Sequence, residues 1–281
     1  MADIPGILRS LPLALIGSTS ERTHKLLQWD TAIRAPITTS RHISFVQLRG
    51  GTGASTTAHY VGGLLAIRRT GLVLGVDAAG GGGGLGELGG NGNAPRRDRR
   101  DQPKTVADAT KGMLRTLSGM YLLEIDAVQS GAVPRTAGWI RSVAPVARFF
   151  DAVCTDWGER SVGADLADVA ALSHTVCLVA RGDRQHAEEA VSVITAIEAS
   201  AEKPAVVVAL VDVGDSAGLG SAIVAGTCGA TVVPVPFDRG WASFVPGQPV
   251  ELATKTRLAY TRLAAALLAP SKRAVAGVEA R

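Results

Sequence analysis

The residues with the most evident chemistry lie in a glycine-rich turn, RGGTGAST at residues 49–56, between an apolar run and a predicted helix. Glycines let successive backbone N–H groups converge on an anion, and the dipole of the following helix adds its field at the same point. This order of elements predicts a phosphate-binding loop, with a tight turn that binds nothing as the alternative. The candidate nucleotide-binding residues in the turn are Arg49, Gly50, Gly51, Thr52, Gly53, Ser55 and Thr56.

Two aspartates follow apolar runs that we predict to be strands. Asp77 comes directly after residues 72–76, and Asp156 comes directly after residues 150–155. Parallel α/β sheets bind ligands at the carboxyl ends of their strands, so both carboxylates are predicted to lie near the phosphate loop. The alternative is that both aspartates only cap loops.

The elements that position these residues are recognisable from recurring apolar runs rich in Val, Ile, Leu and Ala. Near-continuous runs of this kind are typical of strands buried on both faces. The predicted strands are 43–48, 72–76, 121–125, 150–155, 175–180, 205–211 and 230–235, and the helices between them are 55–69, 163–171, 185–199 and 216–228. This alternation predicts an α/β fold, with a mostly parallel sheet and helices on both faces.

The segments outside this pattern are predicted as follows. Residues 1–40 form an N-terminal extension with a helix from about residue 20 to 33, and residues 41–270 form one domain. Residues 80–103 are rich in glycine and arginine, with nine glycines among the thirteen residues 80–92, which predicts a flexible loop. Residues 271–281 are predicted to be a disordered tail.

Composition favours a cytoplasmic protein with one core. The chain has 281 residues and a formal net charge of +4, too small to indicate nucleic-acid binding by itself. Cys154, Cys177 and Cys228 are far apart within or beside apolar runs, which indicates buried thiols. The apolar segment 7–16 is too short to span a bilayer, and the five histidines have no spacing typical of a metal site.

From residue 43 to about residue 269 the chain resembles the deviant Walker-A family of MinD, ParA and their relatives. In that family the loop reads KGGxGK[ST]T, the second strand ends in DxD, and a later strand reads YDxxxxDxxxG. RGGTGAST at 49–56, DAA at 77–79 and FDAVCTDWG at 150–158 occupy the same places in the same order. VVPVPFDR at 232–239 is similar to the family's segment beside adenine. The resemblance implies a P-loop NTPase-like fold, with ATP and Mg²⁺ as ligands, Ser55 as the metal ligand, and Asp156 and Asp77 behind it.

The departures from the family pattern fall on residues that would drive hydrolysis. Arg49 replaces the lysine that reaches across a nucleotide-sandwich dimer, which keeps the charge and changes its geometry. Ala54 replaces the lysine that would neutralise charge on the β and γ phosphates, and Ala79 replaces the aspartate that would orient the attacking water. Asp212 lies near the place of the adenine-side asparagine, which weakens base recognition.

The resemblance and its departures together predict a pseudo-ATPase. It would act as a non-hydrolysing scaffold or regulator that positions partners, with weak or absent binding of ATP and Mg²⁺ and no catalytic residues. The residues before the loop are similar to those of MinD-like proteins associated with actinobacterial type VII secretion. The alternatives are a slow ATPase acting in septum placement, partition or pilus assembly, and an enzyme acting on another phosphorylated ligand.

The expected partners are proteins, with at most a weak homodimer. The arginines at 96, 97, 99 and 100 alternate with Asp98 and Asp101 and have no aromatic neighbour for base stacking, so a solvated loop or a protein contact is favoured over nucleic acid. The closing helix at about 251–268 is predicted to pack on the core, so membrane contact would require a partner.

Overall fold

The computed structural model describes residues 19–80, 83–90, 102–125, 135–200, 202–214, 229–241 and 243–269. Its strands are β1 Arg41–Gln47, β2 Val73–Asp77, β3 Leu114–Arg115, β4 Tyr121–Glu124, β5 Ala152–Glu159, β6 Thr175–Arg181, β7 Ala205–Val211 and β8 Thr231–Val235. They form an eight-stranded sheet in the order β3-β4-β2-β5-β1-β6-β7-β8. All neighbouring pairs are parallel except β3 and β4.

Helices cover both faces of the sheet, and the predicted fold class is therefore confirmed. The described helices are α1 Thr19–Arg34, α2 Ala54–Arg68, α3 Leu85–Leu88, α4 Val106–Thr110, α5 Thr136–Ser142, α6 Ala144–Ala147, α7 Ala164–Ala171, α8 Arg184–Ser192, α9 Ile194–Glu198 and α10 Thr254–Leu268. One core cluster joins a face of the sheet to α5–α9, and a second joins the other face to α1, α2, α3 and α10. Both faces of the central strands are thus removed from water, which explains their continuous apolar sequence.

Helix α1 packs against α10 and α2 and buries Ile33 completely. Its last carbonyls need partners outside the helix. The Arg69 side chain, at the end of α2, provides them by donating to the carbonyls of Ile33 and Ala35, and it also pairs with Asp151 at 2.9 Å. Helix α1 is therefore tied to the domain, while the division of the extension from the domain at residue 40 stays a prediction.

Three details of the fold differ from the sequence predictions. The helix predicted over 185–199 is interrupted at Val193, which separates α8 from α9. Strand β5 continues through Glu159 rather than ending at Thr155, because β2 pairs with it as far as Asp156 and β1 pairs with it as far as Glu159. Within the stretch 80–103, predicted to be a flexible loop, residues 83–90 include the short helix α3 and bury Leu85 completely, while the flexibility of the stretch stays a prediction.

Several predictions lie outside the described residues: the helix at 216–228, Cys228, the arginine cluster at 96–100 and the tail at 271–281. The other two cysteines, Cys154 and Cys177, are buried free thiols as predicted. Helix α10 packs on the core as predicted, with Leu263 and Leu267 fully buried. Among the helices that the structure describes, none has the length and apolar character needed to cross a bilayer.

Candidate functional site

The loop between β1 and α2 has the backbone of an anion cradle. Gly51 and Gly53 have φ angles of 74° and 86°, in the left-handed region where a side chain would be strained. Gly53 is the N-cap of the 15-residue helix α2 and has no side-chain cap, so the first amides of the helix remain available. Gly50 precedes them in the same loop. The glycine spacing thus matches a backbone requirement, and the helix dipole is directed at the loop.

The polar side chains of the loop divide into structural and available groups. Thr52 is buried, and its hydroxyl donates to Gln47 Oε1 at 2.6 Å, so this side chain closes the loop onto β1. Ser55 and Thr56, in the first turn of α2, are only half buried. Of the predicted binding residues in the loop, Thr52 therefore serves the loop itself, whereas Ser55 keeps a hydroxyl at the site.

Arg49 does not extend freely from the loop. Its Nε donates to Glu189 Oε2 on α8 at 2.7 Å, and both residues line a shallow depression next to the loop. Glu189, and more weakly Glu159, raises the pKa of Arg49. In this conformation the guanidinium of Arg49, which was predicted to contact a phosphate, is instead paired with Glu189 of the same chain.

Asp77 and Asp156 are brought together by the pairing of β2 with β5, where they occupy opposing register positions. Asp156 is completely buried, and burial raises its pKa to about 6, with the charge of Asp77 acting in the same direction. Burial also raises the pKa of Asp77, although its two oxygens accept the amides of Ala79 at 3.1 Å and Gly86 at 2.7 Å. Two carboxylates thus share a poorly solvated edge of the sheet.

The oxygens of Asp156 are in different situations. Oδ1 accepts the amide of Gly158 at 3.0 Å, whereas buried Oδ2 accepts no hydrogen bond of normal geometry. Ser55 is close enough to lower the pKa of Asp156. A hydroxyl beside an unsatisfied carboxylate oxygen is a donor set that fits Mg²⁺, a hard cation with oxygen ligands. Asp77 contributes charge rather than a free oxygen, because both of its oxygens are occupied.

Ala54 and Ala79, which stand where the MinD/ParA pattern has a lysine and an aspartate, are packed tightly. Ala54 is 1% exposed and belongs to the second core cluster. Ala79 lies against Gly158, whose φ is 63°, and a Cβ added to Gly158 would come within 2.9 Å of the Ala79 side chain. Neither methyl group can hydrogen-bond to a phosphate or to water.

Arg160 was missed by sequence reasoning, for which the only signal was a charged pair, Glu159-Arg160, after an apolar strand. The residue is 5% exposed, and its guanidinium donates to the carbonyl of Ala78 at 2.9 Å. Burial lowers the pKa of Arg160, and the charges of Asp165 and Asp156 oppose this. A buried cation therefore lies at the same edge as the two carboxylates.

At the predicted adenine side the polar groups satisfy local backbone. Asp238 accepts the amides of Gly240 at 2.9 Å and Ala253 at 2.8 Å, and Asp212 accepts the amide of Gly214 at 3.2 Å. These bonds explain the aspartates as loop-forming residues. The described residues also contain no group of three or more His, Cys, Asp or Glu side chains able to hold a metal.

Comparisons with known proteins give structural matches alone. No protein-family model matches the chain, and no curated protein matches it in sequence. A ParA family ATPase from Chlorobium tepidum TLS aligns with a TM-score of 0.59 and 17% identity, covering 80% of this chain and 98% of that one. The MinC:MinD cell division protein complex from Aquifex aeolicus aligns with a TM-score of 0.57 and 17% identity, covering 84% and 96%.

A third match is the septum site-determining protein MinD complexed with Mg-ADP from Pyrococcus horikoshii OT3. It aligns with a TM-score of 0.57 and 14% identity, covering 80% of this chain and 94% of that one. Identities this low show the fold and no more. The chain has the P-loop α/β fold of MinD and ParA ATPases.

Proposed function

We propose that this chain is a MinD/ParA-like pseudo-ATPase, a scaffold or regulator that positions partners without hydrolysing ATP. The observation that supports this proposal is a contrast within one site. The left-handed glycines Gly51 and Gly53 retain the backbone cradle at the start of α2, whereas position 54 is a buried alanine and Arg49 is paired with Glu189. The scaffold for a phosphate is present and the cations that would act on it are absent or engaged.

The proposed ligand is ATP with Mg²⁺, bound weakly. A neighbour in the structural comparison carries Mg-ADP, and here the amides of residues 50–56 would hold the phosphates. Ser55 and Asp156 would hold the metal, which would neutralise phosphate charge. Affinity is weak because Ala54 makes no contact with a phosphate, and because Glu189 competes for the Arg49 guanidinium.

Hydrolysis is not expected, because two separate contributions to the transition state are missing. Ala54 cannot neutralise charge that develops on the phosphates, and removing one group that stabilises such charge typically raises a barrier by roughly 3 kcal/mol. Ala79 cannot orient a water molecule for attack. Each loss slows the chemical step independently of whether nucleotide binds.

The proposed partner is a protein that docks on the face carrying the loop and the ends of β2 and β5. A MinC:MinD complex among the structural neighbours provides a precedent for a protein partner in this fold. The same proposal includes association with actinobacterial type VII secretion and a cytoplasmic location. It also includes a monomer or at most a weak homodimer that ATP does not tighten. Direct binding to nucleic acid or to a membrane is not part of the proposal.

Calorimetry with ADP and a non-hydrolysable ATP analogue, with and without Mg²⁺, tests the site. Ala54→Lys is expected to bind the analogue more tightly than wild type, because it restores a phosphate contact. Ile67→Lys is the matched control, since it adds the same charge to the exposed part of α2, where the side chain is 68% exposed. A folded Ala54→Lys protein with no gain over this control would refute the site.

Phosphate release in Mg-ATP tests the absence of turnover. Wild-type protein is expected to match a buffer blank. Turnover that disappears in Ser55→Ala would instead establish the slow ATPase, because that change removes the predicted metal ligand and leaves the rest of the loop intact.

A further inference from the structure

The phosphate loop after β1 and the loop after β2 are connected through the residues at the end of β5. Arg160 donates its backbone amide to the carbonyl of Gln47 on β1 at 2.9 Å. The side chain of Gln47 in turn accepts the hydroxyl of Thr52 in the phosphate loop at 2.6 Å. The backbone at the end of β5 therefore shares a partner with the phosphate loop.

The guanidinium of Arg160 extends these connections to the loop after β2. One terminal nitrogen donates to the Ala78 carbonyl and the other to the Glu159 carbonyl, both at 2.9 Å. The guanidinium carbon lies 5.4 Å from the centre of the Trp157 ring, whose indole N–H donates to Ser44. A charged donor that is buried and directed at a carbonyl makes a stronger bond than a neutral donor.

The loop after β2 is also in direct contact with the last residues of β5 around this bond. The amide of Ala78 donates to the carbonyl of Asp156 at 2.8 Å, which continues the sheet pairing beyond Asp77. Gly158 packs against Ala79 so closely that any side chain at Gly158 would overlap it. Because the Arg160 side chain donates directly to the carbonyl of the same residue, Ala78 at the start of the loop after β2 is held at both its amide and its carbonyl.

We propose that Arg160 is a positioning residue that clamps the loop after β2 to the end of β5. The clamp holds Asp77 and Asp156 in one arrangement, with or without nucleotide. This inference rests on the proposed function for the nature of the ligand, and it adds that nucleotide binding does not rearrange Ala78, Ala79, Gly86 or Gly158.

Amide hydrogen exchange on the full chain tests the clamp. Arg160→Lys keeps the charge and loses the planar fork that reaches two carbonyls, and Arg160→Gln removes the charge. Arg148→Gln is the matched control, because Arg148 also donates to a backbone carbonyl, that of Pro103 at 2.8 Å, and lies over the ring of Phe149. The reporters are the amides of Ala78, Ala79, Gly86 and Gly158.

Without nucleotide, these reporters are expected to exchange about tenfold faster in Arg160→Lys, which corresponds to the loss of one hydrogen bond to a charged group. The amides of β6 and β7 are expected to keep wild-type rates, and the Arg148 variant to leave the reporters unchanged. Adding Mg-ATP is expected to leave the wild-type reporters unchanged and to alter them in Arg160→Lys. If Arg160→Gln does not fold, the lysine variant decides the question.

Wild-type reporter rates in Arg160→Lys would overturn the clamp, and so would equal acceleration in β6 and β7, which indicates only a loss of global stability. A tenfold response of the wild-type reporters to Mg-ATP would overturn it as well. Calorimetry that detects no nucleotide binding counts against the proposed ligand, while the comparison without nucleotide still decides the clamp.

Discussion

Replacing Asp156 with asparagine is expected to stabilise the fold at neutral and alkaline pH. Asparagine keeps the oxygen that accepts the Gly158 amide and replaces the unsatisfied, buried Oδ2 with an uncharged NH₂ group. Burial raises the pKa of Asp156 from 3.8 to about 6. At about 1.4 kcal/mol per pKa unit, ionising this group in the native state costs about 3 kcal/mol that the variant avoids.

The pH dependence of this gain has a definite sign. The native pKa of Asp156 lies above the unfolded value, so the native protein binds more protons than the unfolded chain between pH 3.8 and about 6. This group therefore stabilises the wild type as pH falls through that window. The advantage of the variant should be about 3 kcal/mol at pH 8 and should approach zero near pH 4.

Urea unfolding followed by tryptophan fluorescence measures this difference, since Trp139 and Trp157 are both buried. Asp151→Asn is the control, because Asp151 pairs with Arg69, whose side chain is only 3% exposed, and its loss should destabilise the fold. An Asp156→Asn protein no more stable than wild type at pH 8, or with a gain independent of pH, would refute the reasoning. Weaker binding of Mg²⁺ with nucleotide should accompany the gain.

Three further outcomes are expected. Burial lowers the pKa values of His42 and His59 to about 4, so below pH 6.5 the unfolded chain binds more protons than the native protein. Each histidine should therefore lower the free energy of unfolding by about 2 kcal/mol between pH 7 and pH 5. His59→Gln should reduce this fall in urea titrations, and the same pH dependence as wild type would contradict the argument. Gly53→Ala should destabilise by about 1 to 2 kcal/mol in thermal unfolding, because φ is 86° there, and an unchanged midpoint would show the strain is absent. Glu189→Gln should free Arg49 and tighten ATP-analogue binding with little change in stability, and unchanged affinity in calorimetry would show that the pair does not compete with phosphate.

Most of the fold could be predicted from local sequence. Strands such as β6 and β7 are buried on both faces, so their sequences are continuous apolar runs that can be recognised as strands. Gly51 and Gly53 require left-handed φ angles, which makes the loop visible as a glycine pattern. The alanine at position 54 is equally visible, because its chemistry follows from the residue type alone.

The short elements were less predictable, because their stability comes from packing rather than from their own sequence. Helix α3 lies in a stretch so rich in glycine that local propensity favours a flexible loop. The burial of Leu85 between α2 and the sheet outweighs that tendency. The break between α8 and α9 falls at Val193, where no glycine or proline in the sequence indicates the end of a helix.

The state of the site was decided by tertiary structure, because its contacts join residues far apart along the chain. Arg49 and Glu189 are 140 positions apart, and Arg160 and Ala78 are 82 apart. Side-chain types predicted a loop, two carboxylates and an arginine at one edge of a sheet. Only the pairing of β2 with β5 placed the carboxylates opposite one another and buried Asp156, and only the packing of α8 against β6 brought Glu189 to Arg49. Sequence therefore determined which groups are present, and the fold determined which of them are charged, paired or still free to bind.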